Sequence, residues 1–157
     1  MASWADVRAD APDLAALAAG FFDKHKHKTM ATLRRDGSPR ISGTEVADKN
    51  GHLWVGGMPG SVKCRDLQRD PRMAVHSASE DPDVWAGDAK VAGRAVEVTD
   101  PAELAAYMAG SGGPPGPFHL FWLDISELVV VRLAESKDHL VVESWHEGRG
   151  VSRVERY

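Results

Sequence analysis

A short basic segment after residue 60 carries the side chains best suited to holding a charged ligand. Ser61 is a good helix N-cap, and the segment 62–72 behind it is predicted to begin a short helix that contains Lys63. The first amide hydrogens of a helix lack partners within it, and the helix dipole makes that end positive. With the Lys63 ammonium, these donors predict a phosphate pocket. The alternative is a surface helix with a solvated charged face, the commoner role of such segments.

A second basic residue is expected beside this pocket. Arg40, Ile41 and Ser42 open a predicted strand, whereas Ser61 and Lys63 follow the end of the next one. Antiparallel neighbours run in opposite directions, so the start of one strand lies near the end of the next. Arg40 and Lys63 are therefore expected to contact the same phosphorylated ligand. The alternative is that Arg40 only decorates a strand surface.

Other motifs for catalysis and binding are missing. The sequence has no G-x-G-x-x-G after a strand, no G-x-x-x-x-G-K-[ST] and no G-x-S-x-G, which argues against a Rossmann site, a P-loop and a serine-hydrolase elbow. Of seven histidines only His25 and His27 lie close together, so no metal site is expected. The single cysteine, Cys64, excludes an intrachain disulfide.

Composition indicates one ordinary globular domain. The chain has 157 residues, 43% of them hydrophobic and 27% charged, which is enough to bury a core. Its net charge of −4 argues against a nucleic-acid-binding protein. The lone cysteine favours a reducing cytoplasm, and no apolar run is long enough to predict a membrane span. Acidic residues near the N-terminus argue against an export signal.

Hydrophobic periodicity predicts a helix and then a series of strands. Apolar residues recur at helical spacing over residues 12–26. Strands are then predicted over residues 29–33, 39–47 and 52–57. The turns between them are short and rich in Asn, Asp and Gly, so the three strands are expected to form an antiparallel meander.

The second half of the sequence also predicts mostly strands, and together with the first half it favours a barrel. Asp100 is expected to cap a helix that runs to residue 108, and Gly93 is expected to mark a β-bulge or a sharp bend. Further strands are predicted over residues 72–77, 89–99, 118–123, 127–133 and 139–145, with a loop at 111–117. Six to eight antiparallel strands favour a mainly β fold, a closed or nearly closed barrel. The prediction is a single domain with a helical region (1–27), the barrel (28–145) and a tail (146–157).

The order of these motifs resembles the pyridoxamine 5′-phosphate oxidase-like family, the flavin/deazaflavin oxidoreductase split barrels. The residues that carry the resemblance are Ala31-Thr32-Leu33, Asp36-Gly37, Pro39-Arg40-Ile41-Ser42, Leu53-Trp54-Val55, Gly60-Ser61-x-Lys63, Asp66-Leu67, Asp70-Pro71-Arg72 and Ala89 to Val96. Each motif is weak, but their order and spacing are specific, and they cover residues 28–100 well.

The resemblance implies a homodimeric split barrel that binds two flavin-type cofactors between its subunits. The cofactor would be FMN or, alternatively, an F-420-type deazaflavin. Lys63, with Ser61 and Arg65, would contact the phosphate, and Arg40, Ile41 and Ser42 would lie along the cofactor. Gly56 and Gly57 would lie where their strand runs past the phosphate or the ribityl chain of the cofactor. Lys90 would lie on the strand that approaches the ring.

Two departures from the family pattern narrow the expected function. Asp88 stands where true pyridoxamine phosphate oxidases carry an amide, and residues 145–153 lack their Arg-x-His element. Vitamin B6 oxidation is therefore not expected, and the chain is more similar to small actinobacterial members, many of which use a deazaflavin. The expected function is hydride transfer between the cofactor and a small organic substrate. Alternatives are an FMN- or haem-binding carrier or sensor, or a dimeric scaffold without a ligand.

Side chains beyond the phosphate pocket receive weaker predictions. His76, Asp88 and His119 are acid–base candidates near the groove, although a structural role suits each of them better. Trp85 and Trp145 are candidates for the wall of a ring pocket. Trp54 and Trp122 are expected in the core or the dimer interface.

Overall fold

The computed structural model describes residues 1–111 and 116–157, and within them the chain forms four helices and nine strands. The helices are α1 (Trp4–Asp10), α2 (Pro12–Asp23), α3 (Val62–Arg69) and α4 (Pro101–Met108). The strands are β1 (His27–Leu33), β2 (Pro39–Glu45), β3 (Ala47–Lys49), β4 (His52–Gly57), β5 (Arg72–His76), β6 (Gly87–Glu97), β7 (His119–Leu133), β8 (Leu140–His146) and β9 (Gly150–Arg156). Most of the predicted loop 111–117 lies outside the described residues.

Helix α1 was not predicted from the sequence. It begins with a capping box: the Asp6 amide donates to Ser3 Oγ at 3.1 Å, and the Ser3 amide donates to the Asp6 carboxylate at 2.8 Å. Trp4 and Val7 lie one turn apart and are both buried, so the helix covers one end of the sheet. Helix α2 begins at Pro12 as expected but ends at Asp23, short of the predicted residue 26.

All strands pair antiparallel in one sheet, with the order β2-β1-β5-β6-β7-β4-β3 and the β8–β9 hairpin attached to β7. The predicted meander is wrong in its third strand. β3 and β4 form a hairpin, and β4 then pairs with β7 through Trp54 opposite Trp122. In the described part of the chain no ladder joins β2 to β4, so the curled sheet keeps a seam between them.

The tail and the strand near residue 125 also differ from prediction. Residues 150–156 form β9, an exposed edge strand, which brings the total to nine strands rather than six to eight. The two strands expected at 118–123 and 127–133 are one continuous strand, β7. It pairs along its length with β6, and the register shift between Ala92 and Gly93 is the bulge predicted at Gly93.

The core lies inside the curled sheet and under α1 and α2. Alternate residues of the central strands point inward, so each strand contributes every second side chain to one cluster. The largest fully buried side chains include Trp4, Met30, Leu120, Phe121, Leu123, Ile125 and Leu128. Among the described helices, none combines the length and apolarity needed to span a bilayer.

Replacing Gly93 tests the bulge. A Cβ at this position would collide with the Asp124 carbonyl of the paired strand, so Gly93→Ala should lower the free energy of unfolding by about 1–3 kcal/mol. The matched control is Gly20→Ala, because Gly20 lies in α2 with open space around its Cβ position. That change should raise stability by roughly 0.5–1 kcal/mol. Urea unfolding of both variants gives the comparison, and equal effects would argue against the bulge geometry.

Candidate functional site

A groove of about 910 Å³ lies along the seam between β2 and β4. Its volume falls within the range of about 300–1,000 Å³ that is common for small-molecule sites. The walls come from the start of β1, the end of β2, the end of β4, the first turn of α3 and one side chain of α4. The lining residues are Lys26, His27, Lys28, Gly43 to Ala47, Trp54, Gly56 to Lys63 and Tyr107.

The start of α3 offers the groove free hydrogen-bond donors. Ser61 is the N-cap by position, but its side chain makes no capping hydrogen bond. In the described structure the amides of residues 62–64 donate to no backbone carbonyl, and the first helical bond runs from the Arg65 amide to the Ser61 carbonyl at 3.1 Å. These amides, at the positive end of the helix, suit an anion.

Lys63 adds a charge at the same place. Its Nζ donates to the Gly43 carbonyl at 3.0 Å and to Thr44 Oγ1 at 3.3 Å, so it reaches from α3 across the groove to the end of β2. An ammonium has three N–H groups, so one donor remains for a ligand. Lys63 therefore joins the two walls of the seam and carries positive charge into it.

Two glycines at the end of β4 line the groove without side chains. A Cβ on Gly57 would collide with the buried Cys64 Sγ, and one on Gly56 would lie 3.3 Å from the His119 carbonyl. Glycine lets α3 pack closely on the end of β4 and leaves the backbone facing the groove. Burial raises the pKa of the Cys64 thiol, although the Ser61 hydroxyl and the Lys63 charge act in the opposite direction.

Lys28 is a buried cation where β1 enters the groove, and it is paired with Thr44 in the β1–β2 ladder. Only 7% of the residue is exposed, and its Nζ donates to the carbonyls of His25 at 2.5 Å and Lys26 at 3.1 Å. Desolvation lowers its pKa, an effect that the more distant charges of Asp23 and Glu45 only partly offset. No carboxylate among the described residues forms an ion pair with it. A buried cation without a counter-ion is costly, so this part of the groove favours a negatively charged or electron-rich ligand.

The far wall is aromatic. The rings of Trp54 and Tyr107 lie 5.1 Å apart, tilted by 47°. Lys49 holds them in place, because its Nζ donates to the Tyr107 carbonyl at 3.0 Å and its own carbonyl accepts from Trp54 Nε1 at 2.8 Å. Tyr107 is the residue through which α4 contributes to the groove. The two aromatic side chains give the groove an apolar wall.

A buried carboxylate positions α3. Asp66 accepts hydrogen bonds from Thr32 Oγ1 at 2.8 Å, from Arg40 Nε at 2.7 Å and from Arg69 Nη2 at 2.8 Å. Arg69 also donates to the Leu33 carbonyl at 2.6 Å. These bonds tie α3 to β1 and β2. We name this set, Asp66 with Thr32, Arg40 and Arg69, the Asp66 clamp.

The clamp keeps its carboxylate ionised. Burial alone would raise the pKa of Asp66, but the hydrogen bonds from Arg69, Arg40 and Thr32 outweigh it and hold the pKa below its ordinary value. The contribution of this carboxylate to stability is therefore present above the unfolded-state pKa and is lost as the pH falls through the folded-state pKa.

The structure brings some of the expected site residues together and separates others. Ser61, Lys63, Gly56 and Gly57 all line the groove. Arg40 reaches α3, but not through the predicted meander, because β2 does not pair with β4. Its guanidinium is held by Asp66, one turn after Lys63 on the helix, and it does not line the groove. Arg40 and Arg65 instead line a depression on the other side of Val62.

The remaining predicted contact residues lie outside this groove. Ser42 is half-buried on β2, whereas Ile41 points to the opposite face of the sheet and is 73% exposed. Lys90 is exposed on β6, opposite His76 and Val129. None of these three lines the groove in the described structure.

The tryptophans and the acid–base candidates are placed differently from expectation. Trp145 is buried and its Nε1 donates to Asp10 at 2.6 Å, so it does not wall a pocket, whereas Trp54 does. Asp88 accepts from Trp85 Nε1 at 3.2 Å and lies 3.5 Å from His76 Nε2. His119 Nδ1 lies 3.0 Å from Glu97.

Sequence reasoning missed Lys28, Thr44 and Tyr107. A signal existed for Lys28, since it alternates with the inward-facing Met30 and Thr32 along β1. Tyr107 carried no such signal, because α4 buries none of its residues and reaches the groove only through the fold.

Comparison with known proteins identifies the family. The model of the pyridoxamine 5′-phosphate oxidase family matches residues 14–132. This match spans well over half of the 157 residues, and the chain belongs to this family, whose fold is the FMN-binding split β-barrel. A sequence search of curated proteins finds no match.

Solved structures agree on the fold at low sequence identity. PhzG from Burkholderia lata 383, solved with tetrahydrophenazine-1-carboxylic acid, has a TM-score of 0.67 and 13% identity over 97% of this chain and 94% of its own. A pyridoxamine 5′-phosphate oxidase-related, FMN-binding protein from Nostoc punctiforme PCC 73102 has a TM-score of 0.65 and 14% identity, over 92% of this chain and 95% of its own. Campylobacter jejuni ChuZ has a TM-score of 0.68 and 13% identity, over 91% of this chain but 63% of its own.

Removing the charge of the Asp66 clamp should destabilise the protein in a pH-dependent way. At neutral pH, Asp66→Asn should lower the free energy of unfolding by about 1.5–3 kcal/mol, because charge-assisted hydrogen bonds to two arginines are lost. The difference from wild type should shrink as the pH falls from 3.8, the ordinary value for aspartate, through the lower folded-state pKa, because the wild-type carboxylate then loses its charge.

The control for this experiment is Asp70→Asn on the same helix end. The pKa of Asp70 is lowered to about 2 by hydrogen bonds from Arg72, but that pair is exposed. Solvent screens it, so the change should be much smaller. Urea unfolding between acid and neutral pH measures both variants. Equal losses, or a loss for Asp66→Asn that persists in acid, would contradict the role assigned to the clamp.

Proposed function

We propose that this protein binds a flavin-type cofactor in the groove and acts as an oxidoreductase. The observation that carries the proposal is the convergence of α3's free amides, Lys63 and the buried Lys28 on one groove that also has an aromatic wall. This arrangement suits a ligand that combines a phosphate with an electron-rich ring. FMN has that form, and so does a deazaflavin coenzyme of the F-420 type.

Different residues along the groove would bind different parts of the cofactor. Lys63, Ser61 and the amides of residues 62–64 would hold the phosphate. Gly56 and Gly57 allow the chain between phosphate and ring to pass close to the backbone of β4. Trp54 and Tyr107 give the ring an apolar wall and exclude water from one side.

The bound cofactor would supply hydride transfer at its central ring, and the protein would supply position and electrostatics. Lys28 is the residue best placed for the electrostatic part. Its ammonium is held by two backbone carbonyls and has no carboxylate partner among the described residues. A fixed positive charge in a desolvated site favours negative charge on the group beside it. Lys28 would therefore stabilise an electron-rich ring without itself transferring a proton.

A homodimer is part of this proposal. Ile41, Ala31, Ala74 and Ala92 lie directly opposite one another across β2, β1, β5 and β6, on the outer face of the sheet. Three small side chains and one exposed isoleucine make that row flat and apolar, which suits a second copy of the chain. In such a dimer Ile41 and Lys90, on the outer face of one subunit, could approach the cofactor of the other. A cytoplasmic setting is also proposed, supported by the lone, reduced Cys64.

A cofactor-binding carrier or sensor is the second candidate function. It is favoured by the ionisable groups of the groove, which are three lysines, His27, Glu45 and Tyr107. The ion pair that the described structure shows among them, Lys26 with Glu45 at 3.5 Å, is exposed. The absorption spectrum of the purified protein identifies the ligand, with a band near ~450 nm for flavin and near ~420 nm for a deazaflavin or haem. Reduction of the bound cofactor by a nicotinamide donor and its reoxidation by substrate would separate enzyme from carrier.

Lys63→Ala tests the phosphate end of the groove. Loss of one charge-assisted contact should weaken FMN binding by about 1.5–3 kcal/mol, roughly ten- to a hundredfold. Riboflavin lacks the phosphate, so its affinity should hardly change. Lys137→Asn is the matched control, because it removes a charge at an exposed turn whose φ of 60° asparagine tolerates. Fluorescence titration measures all affinities. An equal loss for FMN and riboflavin would show that the phosphate does not bind at Lys63.

Ile41→Glu tests the proposed dimer. A carboxylate on the row of small residues would be buried without a partner, so the variant should be monomeric at concentrations where the wild type is dimeric. Val84→Glu is the control, since Val84 is 60% exposed on a loop away from that face. Sedimentation analysis gives both masses. A wild-type monomer, or an Ile41→Glu dimer of unchanged affinity, would rule out this face as the interface.

A further inference from the structure

Strand β9 forms a free edge of the sheet. It pairs with β8 alone in the described structure, so one side of its backbone has no ladder partner. Edge strands are commonly protected by proline, lysine, a bulge or short length, because their unpaired N–H and C=O groups can pair with another chain. β9 has none of these features. It contains neither proline nor lysine, and its register with β8 is continuous over seven residues.

One face of β9 continues an apolar row across the sheet. Val131, Val142 and Val154 lie directly opposite one another on β7, β8 and β9. Val154 is 40% exposed and stands at the free edge. In the neighbouring row, the hydroxyl oxygens of Ser144 and Ser152 lie 2.9 Å apart and share a hydrogen bond. The valine row therefore has a strand on one side of Val154 and, among the described residues, none on the other.

The other face of β9 carries charges that alternate in sign. Arg132 on β7 contacts Glu143 on β8 at 3.1 Å, and Glu143 lies opposite Arg153 on β9. Along β9, Arg153 Nη2 lies 3.3 Å from the Glu155 carboxylate. Both side chains of this last pair are about half exposed, so the contact within the strand contributes little. The series across the strands would continue with a negative charge beyond Arg153.

The edge is complementary to itself about a two-fold axis at Val154. Two copies of β9 that run antiparallel with Val154 opposite Val154 bring Arg153 opposite the partner's Glu155, and Glu155 opposite the partner's Arg153. Side chains directly opposite in an antiparallel pair have Cβ atoms about 4.5–5.5 Å apart, which is close enough for ion pairing. An edge with one sign of charge would repel its own copy, whereas this one attracts it.

We propose that β9 pairs with β9 of a second copy of the chain, antiparallel and with Val154 on the two-fold axis. The pairing joins two nine-stranded sheets into one continuous sheet and gives the free backbone groups of both edges a partner. It extends the valine row into the second copy. It also places each Arg153 between Glu143 of its own chain and the partner's Glu155.

This contact is separate from the dimer face proposed above. β7 and β8 lie between β9 and β6, where the row that begins at Ile41 ends at Ala92. An edge contact of seven residues is smaller than a standard interface of about 1,600 Å², so we expect it at protein concentrations of about 0.1 mM and above. Two different two-fold contacts on one chain would link dimers into larger assemblies. The proposal does not depend on a bound cofactor.

A cross-link at Val154 tests the register. Val154→Cys places two thiols at the axis, so a short bismaleimide should join the chains in pairs. The native Cys64 is 1% exposed and does not compete. Val151→Cys is the matched control, because Val151 is 52% exposed on the same strand but its two copies would lie about 20 Å apart. No cross-linking of Val154→Cys, or equal cross-linking of both variants, would overturn the proposed register.

Charge reversal tests the pairing independently. Arg153→Glu sets two carboxylates opposite each other at both positions, and Glu155→Arg sets two guanidinium groups there. Each variant alone should therefore associate about tenfold or more weakly than the unmodified edge. An equimolar mixture of the two variants restores opposite charges at both positions and should associate about as strongly as the unmodified edge.

Sedimentation equilibrium measures these associations in the Ile41→Glu background, which removes the proposed outer-face contact. Arg149→Glu, in the turn before β9, is the matched charge reversal and should leave the association unchanged. A mixture that associates no better than its two components would rule out the edge pairing, and so would single variants that associate as strongly as the unmodified edge. Neither result bears on cofactor binding, so failure here leaves the proposed function intact.

Discussion

The Asp66 clamp is the interaction on which the rest of the site depends. A carboxylate buried beneath α3 would destabilise the fold on its own, and it is tolerated because Thr32, Arg40 and Arg69 all donate to it. The same bonds determine where α3 lies relative to β1 and β2. The first turn of α3 then reaches the groove with Lys63, and its exposed side carries Arg65 to the depression beyond Val62. One buried charge thus fixes where both of these basic side chains lie.

The groove exists because the curled sheet does not close between β2 and β4. After β2 the chain turns at once into β3, and β3 leads through a tight hairpin into β4. Because β4 takes β7 as its partner, β2 is left as an edge strand facing β4 across the seam. An edge strand carries backbone groups without ladder partners. Lys63 reaches one of them, the Gly43 carbonyl, and the rest of the seam is open to a ligand.

Features set by local chemistry could be predicted from the sequence, and features set by distant pairing could not. The α3 start at Ser61, the α4 cap at Asp100 and the bulge at Gly93 depend on neighbouring residues, and each was predicted correctly. α1 was overlooked although its capping box is legible in the sequence. The partner of β4 depends on β7, far along the chain, and no local pattern distinguishes that pairing from a meander. The expected proximity of Arg40 and Lys63 was argued from the meander, whereas the structure brings Arg40 to α3 through Asp66, one turn after Lys63.

The groove and the depression beyond Val62 differ in the cations they use. Lys28 is buried in the groove on two backbone carbonyls, which accept hydrogen bonds from its ammonium. The depression draws its positive charge from arginines, and two of these, Arg40 and Arg69, are paired with the buried Asp66. Lys28 has no carboxylate partner among the described residues, so its charge is not balanced inside the protein. A desolvated cation of this kind favours an anionic or electron-rich neighbour, which is the electrostatic reason to expect such a ligand in the groove.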